Sequence, residues 1–102
     1  MSFHFWLLVF PDINKPIGGV KQMHRLCESL IGLGHKATVV QDKSSFHPNW
    51  FTSSVPTISK KDWFSSVNLS PSHDYIILAE TFISGIPLIK PGIPKIIFNQ
   101  AI

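Results

Sequence analysis

The chain has 102 residues, of which 44% are hydrophobic, 12% aromatic and 15% charged. This length fits one domain over residues 1–102, and the apolar content excludes an intrinsically disordered chain. The formal charge is +3 and the basic residues are scattered, so that no basic stripe for nucleic-acid binding is present.

Residues 3–10, FHFWLLVF, form a continuous apolar run that is followed by Pro11 and Asp12. A short run rich in aromatics and ended by turn residues predicts a strand that is buried on both faces. The run lacks the basic flank and small-residue cleavage site of a signal peptide, and no apolar stretch approaches the ~20 residues of a membrane-spanning helix. The lone Cys27 excludes an intrachain disulfide. We therefore expect a cytoplasmic protein without a transmembrane segment, at most peripheral to the inner membrane face.

A loop over residues 11–17 leads to the pair Gly18 and Gly19, after which the sequence has a helical period. Apolar residues recur at three- and four-residue steps from residue 19 to residue 33, which predicts an amphipathic helix. Its apolar face comprises Val20, Met23, Cys27, Leu30 and Ile31. Gly34 is typical of the residue that ends a helix.

Residues 37–41, ATVVQ, predict a second strand because they are rich in β-branched residues. Strand, helix and strand make a βαβ unit, in which the two strands lie parallel and the crossover is right-handed. Residues 42–50 have the composition of a loop. Ser59 followed by Asp62 indicates a capping box that opens a short helix over residues 59–67.

Two further strands are predicted, at residues 74–80 (DYIILAE) and 95–100 (KIIFNQ). Between them, glycine and proline interruptions allow a turn or two of helix at most. The predicted fold is α/β, a Rossmann-like parallel sheet of about four strands with few helices. Only one long helix is available to cover a sheet that needs both faces covered. The sheet therefore pairs with another subunit, or the rest of its domain lies outside this sequence.

Gly18 and Gly19 lie where the first strand leads into the first helix. A glycine pair at a helix N-terminus allows a phosphate to approach the backbone closely, but on spacing alone a tight turn without any ligand is the commoner explanation of the same residues. The sequence contains no GxGxxG pattern and no Walker lysine, which argues against a classical dinucleotide or ATP site. The five histidines are dispersed and Cys27 has no neighbouring ligand, so no metal site is predicted.

Four polar residues at helix and strand ends are candidates for ligand contact, and each has a structural alternative. His24, in the second turn of the helix, faces the loop mouth or, more commonly for such a residue, is a partly buried, hydrogen-bonded histidine without a catalytic role. Glu80 ends the third strand, where α/β sheets collect functional residues, but it would equally cap the next turn. Asn99 and Gln100 end the fourth strand and bind polar ligand groups or satisfy loop backbone.

The segment GGVKQMHRLCESLIGLGHKATVV resembles the opening βαβ unit of GT-B glycosyltransferases, in particular the large retaining, family-1/4-like group of bacterial sugar transferases. The matching positions are Gly18, Gly19, Leu26, Leu30, Gly34, His35, Val39 and Val40. The segments DYIILAE and PGIPKIIFNQ are similar to the third and fourth strands of a bacterial subgroup, one ending in glutamate and the other in Phe-Asn-Gln. Those residues here are Glu80, Phe98, Asn99 and Gln100.

This resemblance implies an incomplete N-terminal domain of such an enzyme, in which a cleft binds a glycan or lipid-linked acceptor. It places Gly18 and Gly19 near the donor's phosphates. The expected residues of the cleft rim are His24, Glu80, Asn99 and Gln100. The nucleotide-sugar is a substrate, so that no cofactor and no metal are expected, and catalytic residues are not assigned.

The second Rossmann-like domain, which holds the nucleotide-sugar in this family, lies outside the sequence. We therefore expect no sugar transfer by this chain alone. The alternative hypothesis is a non-catalytic α/β binding or oligomerisation module, a homo-oligomer that pairs through an exposed sheet face or edge. A flavodoxin-like regulatory domain is disfavoured because neither an acidic cluster nor a phosphoacceptor aspartate stands at the end of the first strand.

Overall fold

The computed structural model describes residues 3–9, 18–44, 46, 52–79 and 89–98. Within these residues the chain forms five strands and two helices. They are β1 (His4–Leu8), α1 (Gly18–Gly32), β2 (Lys36–Gln41), β3 (Thr57–Ser59), α2 (Lys60–Ser66), β4 (Asp74–Ala79) and β5 (Lys95–Phe98).

The five strands form one parallel sheet in the order β3-β2-β1-β4-β5. The central strand β1 pairs with β2 on one side and with β4 on the other, so that His4 lies opposite both Lys36 and Asp74. The predicted parallel α/β sheet is confirmed, including the parallel pairing of the first two predicted strands. The chain adds strands on one side of β1 up to β3 and then crosses to the other side. In such sheets the change of direction marks where ligands bind, at the carboxyl ends of the strands.

The fifth strand, β3, was not predicted. It has three residues. Its first residue, Thr57, is the register partner of Val39 in β2, and Val39 N donates to the Pro56 carbonyl at 2.9 Å. Three residues are too few to show the alternation on which strand prediction depends. At the edge of the sheet its residues are only half-buried, so the strand does not need the continuous apolar run of a central strand.

Each face of the sheet has its own hydrophobic cluster. On one face, Met23 and Cys27 of α1 pack on alternate strand residues such as Leu7. On the other face, Trp63 of α2 packs near Trp6, with ring centroids 6.3 Å apart. Since successive strand residues point to opposite faces, this two-sided cover explains why β1 is apolar from Phe5 to Leu8.

The ends of α1 follow from its sequence, with one correction to its apolar face. Gly34 has a φ of +95°, a conformation that favours glycine, and His35 N donates to the Leu30 carbonyl at 3.1 Å. Ile31, predicted on the buried face, is instead 41% exposed. It lies about 80° around the helix from Met23, at the border of the apolar stripe.

The short helix α2 begins at the predicted cap. Ser59 has extended backbone, and its Oγ accepts a hydrogen bond from Asp62 N at 3.2 Å. At the other end of α2, Lys90 Nζ donates to the Val67 carbonyl at 2.7 Å and lies 3.4 Å from the Phe64 carbonyl.

None of the helices in the described part of the chain has the length and apolar character needed to cross a membrane.

Candidate functional site

The carboxyl edge of the sheet is the candidate site, because the strand order places the change of direction there. The helix α1 runs antiparallel to the strands: its C-terminal end lies at the amino edge, where Phe3 N donates to His35 Nδ1 at 3.4 Å. Its other end, at Gly18, therefore lies at the carboxyl edge. The strands β1 and β4, which flank the change of direction, end at Leu8 and Ala79.

The N-terminus of α1 gives this edge a positive electrostatic character. The first turn contains no acidic residue, and Lys21 within it is exposed. The first N–H groups of a helix have no partner inside the helix, and together they carry about half a positive charge. Glycine at the start of a helix, as at Gly18 and Gly19, is the residue type that lets an anion approach such N–H groups closely.

His24 is buried, with 3% of its surface exposed. Its Nδ1 shares a 2.8 Å hydrogen bond with Ser53 Oγ, in the segment that leads into β3. This contact ties α1 to that segment, which is the structural role given above as the alternative for this residue. A place for His24 on the rim of a cleft stays a prediction.

Glu80, Asn99 and Gln100 lie outside the described residues. The residues before them are in place: Ala79 ends β4 and Phe98 ends β5, and the two are register partners in the sheet. The strands predicted to carry these polar groups are therefore neighbours that end at the same level of the carboxyl edge.

Gln41, at the carboxyl end of β2, was not predicted as a functional residue. It is 1% exposed, and its Nε2 donates to the carbonyls of Lys43 and Phe46 at 2.8 Å each. These two bonds hold the loop that follows β2 against the sheet. A polar residue at the end of an apolar strand could have indicated a functional role from the sequence. Side-chain amides at such positions also hydrogen-bond with loop backbone groups, as Gln41 does here.

A second group of polar and aromatic side chains lies at the amino edge, on the α2 face. The His4 ring stacks on Trp6 at 3.8 Å, and His4 Nε2 hydrogen-bonds with Thr38 Oγ1 at 2.9 Å. Burial lowers the pKa of His4, the Asp74 carboxylate opposes this effect and Lys36 adds to it. Because this group lies at the opposite edge from the strand-order change, it does not extend the candidate site.

Two potential sources of other chemistry are accounted for. Cys27 is fully buried, and burial, with a smaller contribution from Glu28, raises the pKa of its thiol to about 12. A thiol with this pKa is neither a nucleophile nor a metal ligand near neutral pH. Among the described residues no three His, Cys, Asp or Glu side chains come together in a metal-binding group.

No protein-family model matches this chain, and neither the curated proteins nor the solved structures include a match. The likeness to glycosyltransferases therefore depends on the sequence segments quoted above. The structure adds the geometry of the carboxyl edge, which any functional hypothesis has to fit.

Proposed function

We propose that this chain is the acceptor-side, N-terminal part of a GT-B glycosyltransferase. The complete enzyme would transfer a sugar from a nucleotide-sugar to a glycan or lipid-linked acceptor. Support comes from the Gly-Gly, Gly-His and Phe-Asn-Gln segments in their order along the chain. A parallel sheet with a change of direction beside its central strand is compatible with this family.

One observation supports the proposal most directly: α1 begins with Gly18 and Gly19, and its antiparallel course across the parallel sheet puts this end at the carboxyl edge. Sugar transfer from a nucleotide-sugar breaks the bond between the anomeric carbon and a phosphate oxygen. The departing nucleoside diphosphate gains negative charge, which a helix N-terminus stabilises. The new bond forms to an acceptor oxygen, whose proton needs a base that we do not assign.

The proposal gives this chain a partial role. The donor would be held chiefly by a second domain, while the N-terminus of α1 contributes a weak interaction with its phosphates. A millimolar dissociation constant corresponds to about 4 kcal/mol, a plausible contribution for one helix N-terminus and the adjacent Lys21. A micromolar affinity of this chain alone would contradict this division of roles.

The experiment is an NMR titration of the ¹⁵N-labelled chain with uridine diphosphate, using uridine as the ligand without phosphate. We expect shifts of the amide signals of residues 18–21 with millimolar affinity for the diphosphate and none for uridine. If the diphosphate leaves these signals unchanged, or if uridine shifts them equally, the proposal is wrong.

Two variants make the test specific. In Gly19→Glu, a carboxylate at the N-terminus of α1 stabilises the helix but repels a phosphate, so the affinity should fall at least tenfold (about 1.4 kcal/mol) with no loss of fold. Gly32→Glu puts the same charge at the other end of α1, where an added Cβ meets no atom within 4 Å. This control should bind the diphosphate as the wild type does. Equal affinity of all three proteins would exclude the N-terminus of α1 as the binding site.

A further inference from the structure

The outer edge of β5 carries two exposed isoleucines. Ile96 is 42% exposed and Ile97 is 39% exposed. As consecutive residues of a strand they point to opposite faces of the sheet. A partner surface that lies on one face can cover only one of them. A strand added beside β5, with its own side chains on both faces, covers both.

The backbone of β5 offers bonds for such a strand. Ile76 N of β4 donates to the Pro94 carbonyl at 3.0 Å, so the polar groups of Pro94 point towards β4. These groups alternate in direction along a strand. The N–H and C=O groups of Lys95 and Ile97 therefore point outwards, and β5 is the last strand of the sheet in the described part of the chain.

The charge on this edge does not protect it. Edge strands are often protected by a lysine that points to solvent, by proline, or by being very short. Lys95 Nζ instead donates to the carbonyls of Lys90 and Ile93, at 2.8 Å each. The opposite edge differs in its apolar side chains: the single isoleucine of β3, Ile58, is half-buried and packs against the hydrophobic cluster of the α2 face.

We propose that β5 pairs with β5 of a second copy of this chain, antiparallel, about a two-fold axis perpendicular to the sheet. That axis keeps each face of the sheet on the same side in both copies. Residues opposite each other must then point to the same face, so their residue numbers differ by zero or by an even number. Pairing Ile96 with itself makes Lys95 and Ile97 of one copy opposite Ile97 and Lys95 of the other. All outward groups of these residues then form hydrogen bonds.

Electrostatics favours a second copy as the occupant. In this register Lys95 of each copy lies opposite an isoleucine, and its ammonium group is turned towards carbonyls of its own chain. No like charges therefore oppose each other: on one face Ile96 meets its own copy as an apolar partner, and on the other Ile97 lies beside the aliphatic part of the second copy's Lys95. The pairing is isologous, so it closes as a dimer without leading to fibres. It does not depend on the glycosyltransferase proposal.

Sedimentation equilibrium of the purified chain over a range of concentrations tests the pairing. We expect a monomer–dimer equilibrium that Ile97→Lys weakens at least tenfold, since the substitution occurs twice in the dimer and places an ammonium group beside the second copy's Lys95. The control is Leu33→Lys, which removes a more exposed apolar side chain, 74% exposed, at the end of α1. It should leave the equilibrium unchanged. A monomer at every concentration, or a dimer that only Leu33→Lys weakens, would overturn the proposal.

A cross-link provides a readout that survives if Ile97→Lys fails to fold. In the proposed register the two Ile96 residues form a non-hydrogen-bonded pair with Cα atoms about 4.5 Å apart, within the range of a disulfide. We expect Ile96→Cys to form a covalent dimer on mild oxidation, whereas Leu33→Cys stays monomeric. Cys27 does not interfere, because it is buried. If both variants cross-link equally, or if neither does, β5 does not pair in this register.

Discussion

Trp6 Nε1 donates a 3.0 Å hydrogen bond to Asp74 Oδ1 across the two strands that flank the change of direction in the sheet. The other carboxylate oxygen of Asp74 accepts from Ser70 N at 2.7 Å. One side chain thus accepts from a buried indole and fixes the turn that leads into β4. We expect Asp74→Ala to lower the free energy of unfolding by about 1–3 kcal/mol, because both donors lose their acceptor.

Urea unfolding followed by circular dichroism measures this loss. Asp74→Asn is the matched variant, since its amide oxygen can replace one of the two acceptors while the negative charge is absent. It should be more stable than Asp74→Ala. An alanine variant within about 0.5 kcal/mol of the wild type, the usual range of surface substitutions, would show that the two hydrogen bonds contribute little.

Lys90 joins the segment before β5 to the C-terminal end of α2. Its Nζ donates to the Val67 carbonyl and lies 5.3 Å from the centre of the Trp63 ring. Cations near a helix C-terminus stabilise it by bonding the free carbonyls. We expect Lys90→Met, which keeps the aliphatic part of the side chain, to cost about 1–2 kcal/mol of unfolding free energy.

The control for Lys90→Met is Lys61→Met, the same change at an exposed lysine in the first turn of α2. Thermal unfolding of the two variants should differ by several degrees, with Lys61→Met close to the wild type. Equal melting temperatures would mean that the contact between Lys90 and the end of α2 does not contribute measurably to stability.

Strong local signals account for the parts of the fold that the sequence predicted. The apolar run of β1, the glycine after α1 and the Ser59 cap each depend on a few neighbouring residues, and the structure contains all three. The short strand β3 has no such signal, because its place is determined by pairing with β2. The cover on the second face of the sheet was predicted only in part: the helix that carries Trp63 was expected, whereas Ile89 and Ile93 belong to a segment without regular periodicity.

The candidate site was predictable to a smaller extent. Gly18 and Gly19 were predicted at the start of α1 from local sequence, and the helix begins there. His24, by contrast, hydrogen-bonds with Ser53, 29 residues further along the chain. A contact between residues so far apart depends on tertiary packing, and no pattern near His24 indicates it. The same holds for Gln41, whose two carbonyl partners are in an irregular loop.

Cys27 should be unreactive while the chain is folded. The residue is 0% exposed, so a reagent cannot reach its sulfur. Burial raises the pKa of the thiol to about 12, so at pH 8 almost none of it is the reactive thiolate. We expect a disulfide reagent such as dithionitrobenzoate to label this residue only through unfolding, and the rate to rise with urea in parallel with the unfolded fraction. Cys27→Ala removes the signal and identifies its source. Rapid labelling of the folded chain at pH 8 would contradict the burial of α1 against the sheet.

His4 should make stability depend on pH in the acidic range. Burial lowers its pKa in the folded chain below the usual value of about 6.5, although the Asp74 carboxylate acts in the opposite direction. Below pH ~6.5 the unfolded chain therefore binds a proton that the folded chain binds less readily. The contribution of neutral His4 is present above this pH and is lost as the pH falls through the lowered pKa.

In His4→Gln, where the amide can still bond Thr38 Oγ1, this part of the pH dependence should disappear. Urea unfolding at pH 7.5 and pH 5 measures it: the wild type should lose more stability on acidification than the variant, and an equal or smaller loss would reverse the sign given to His4.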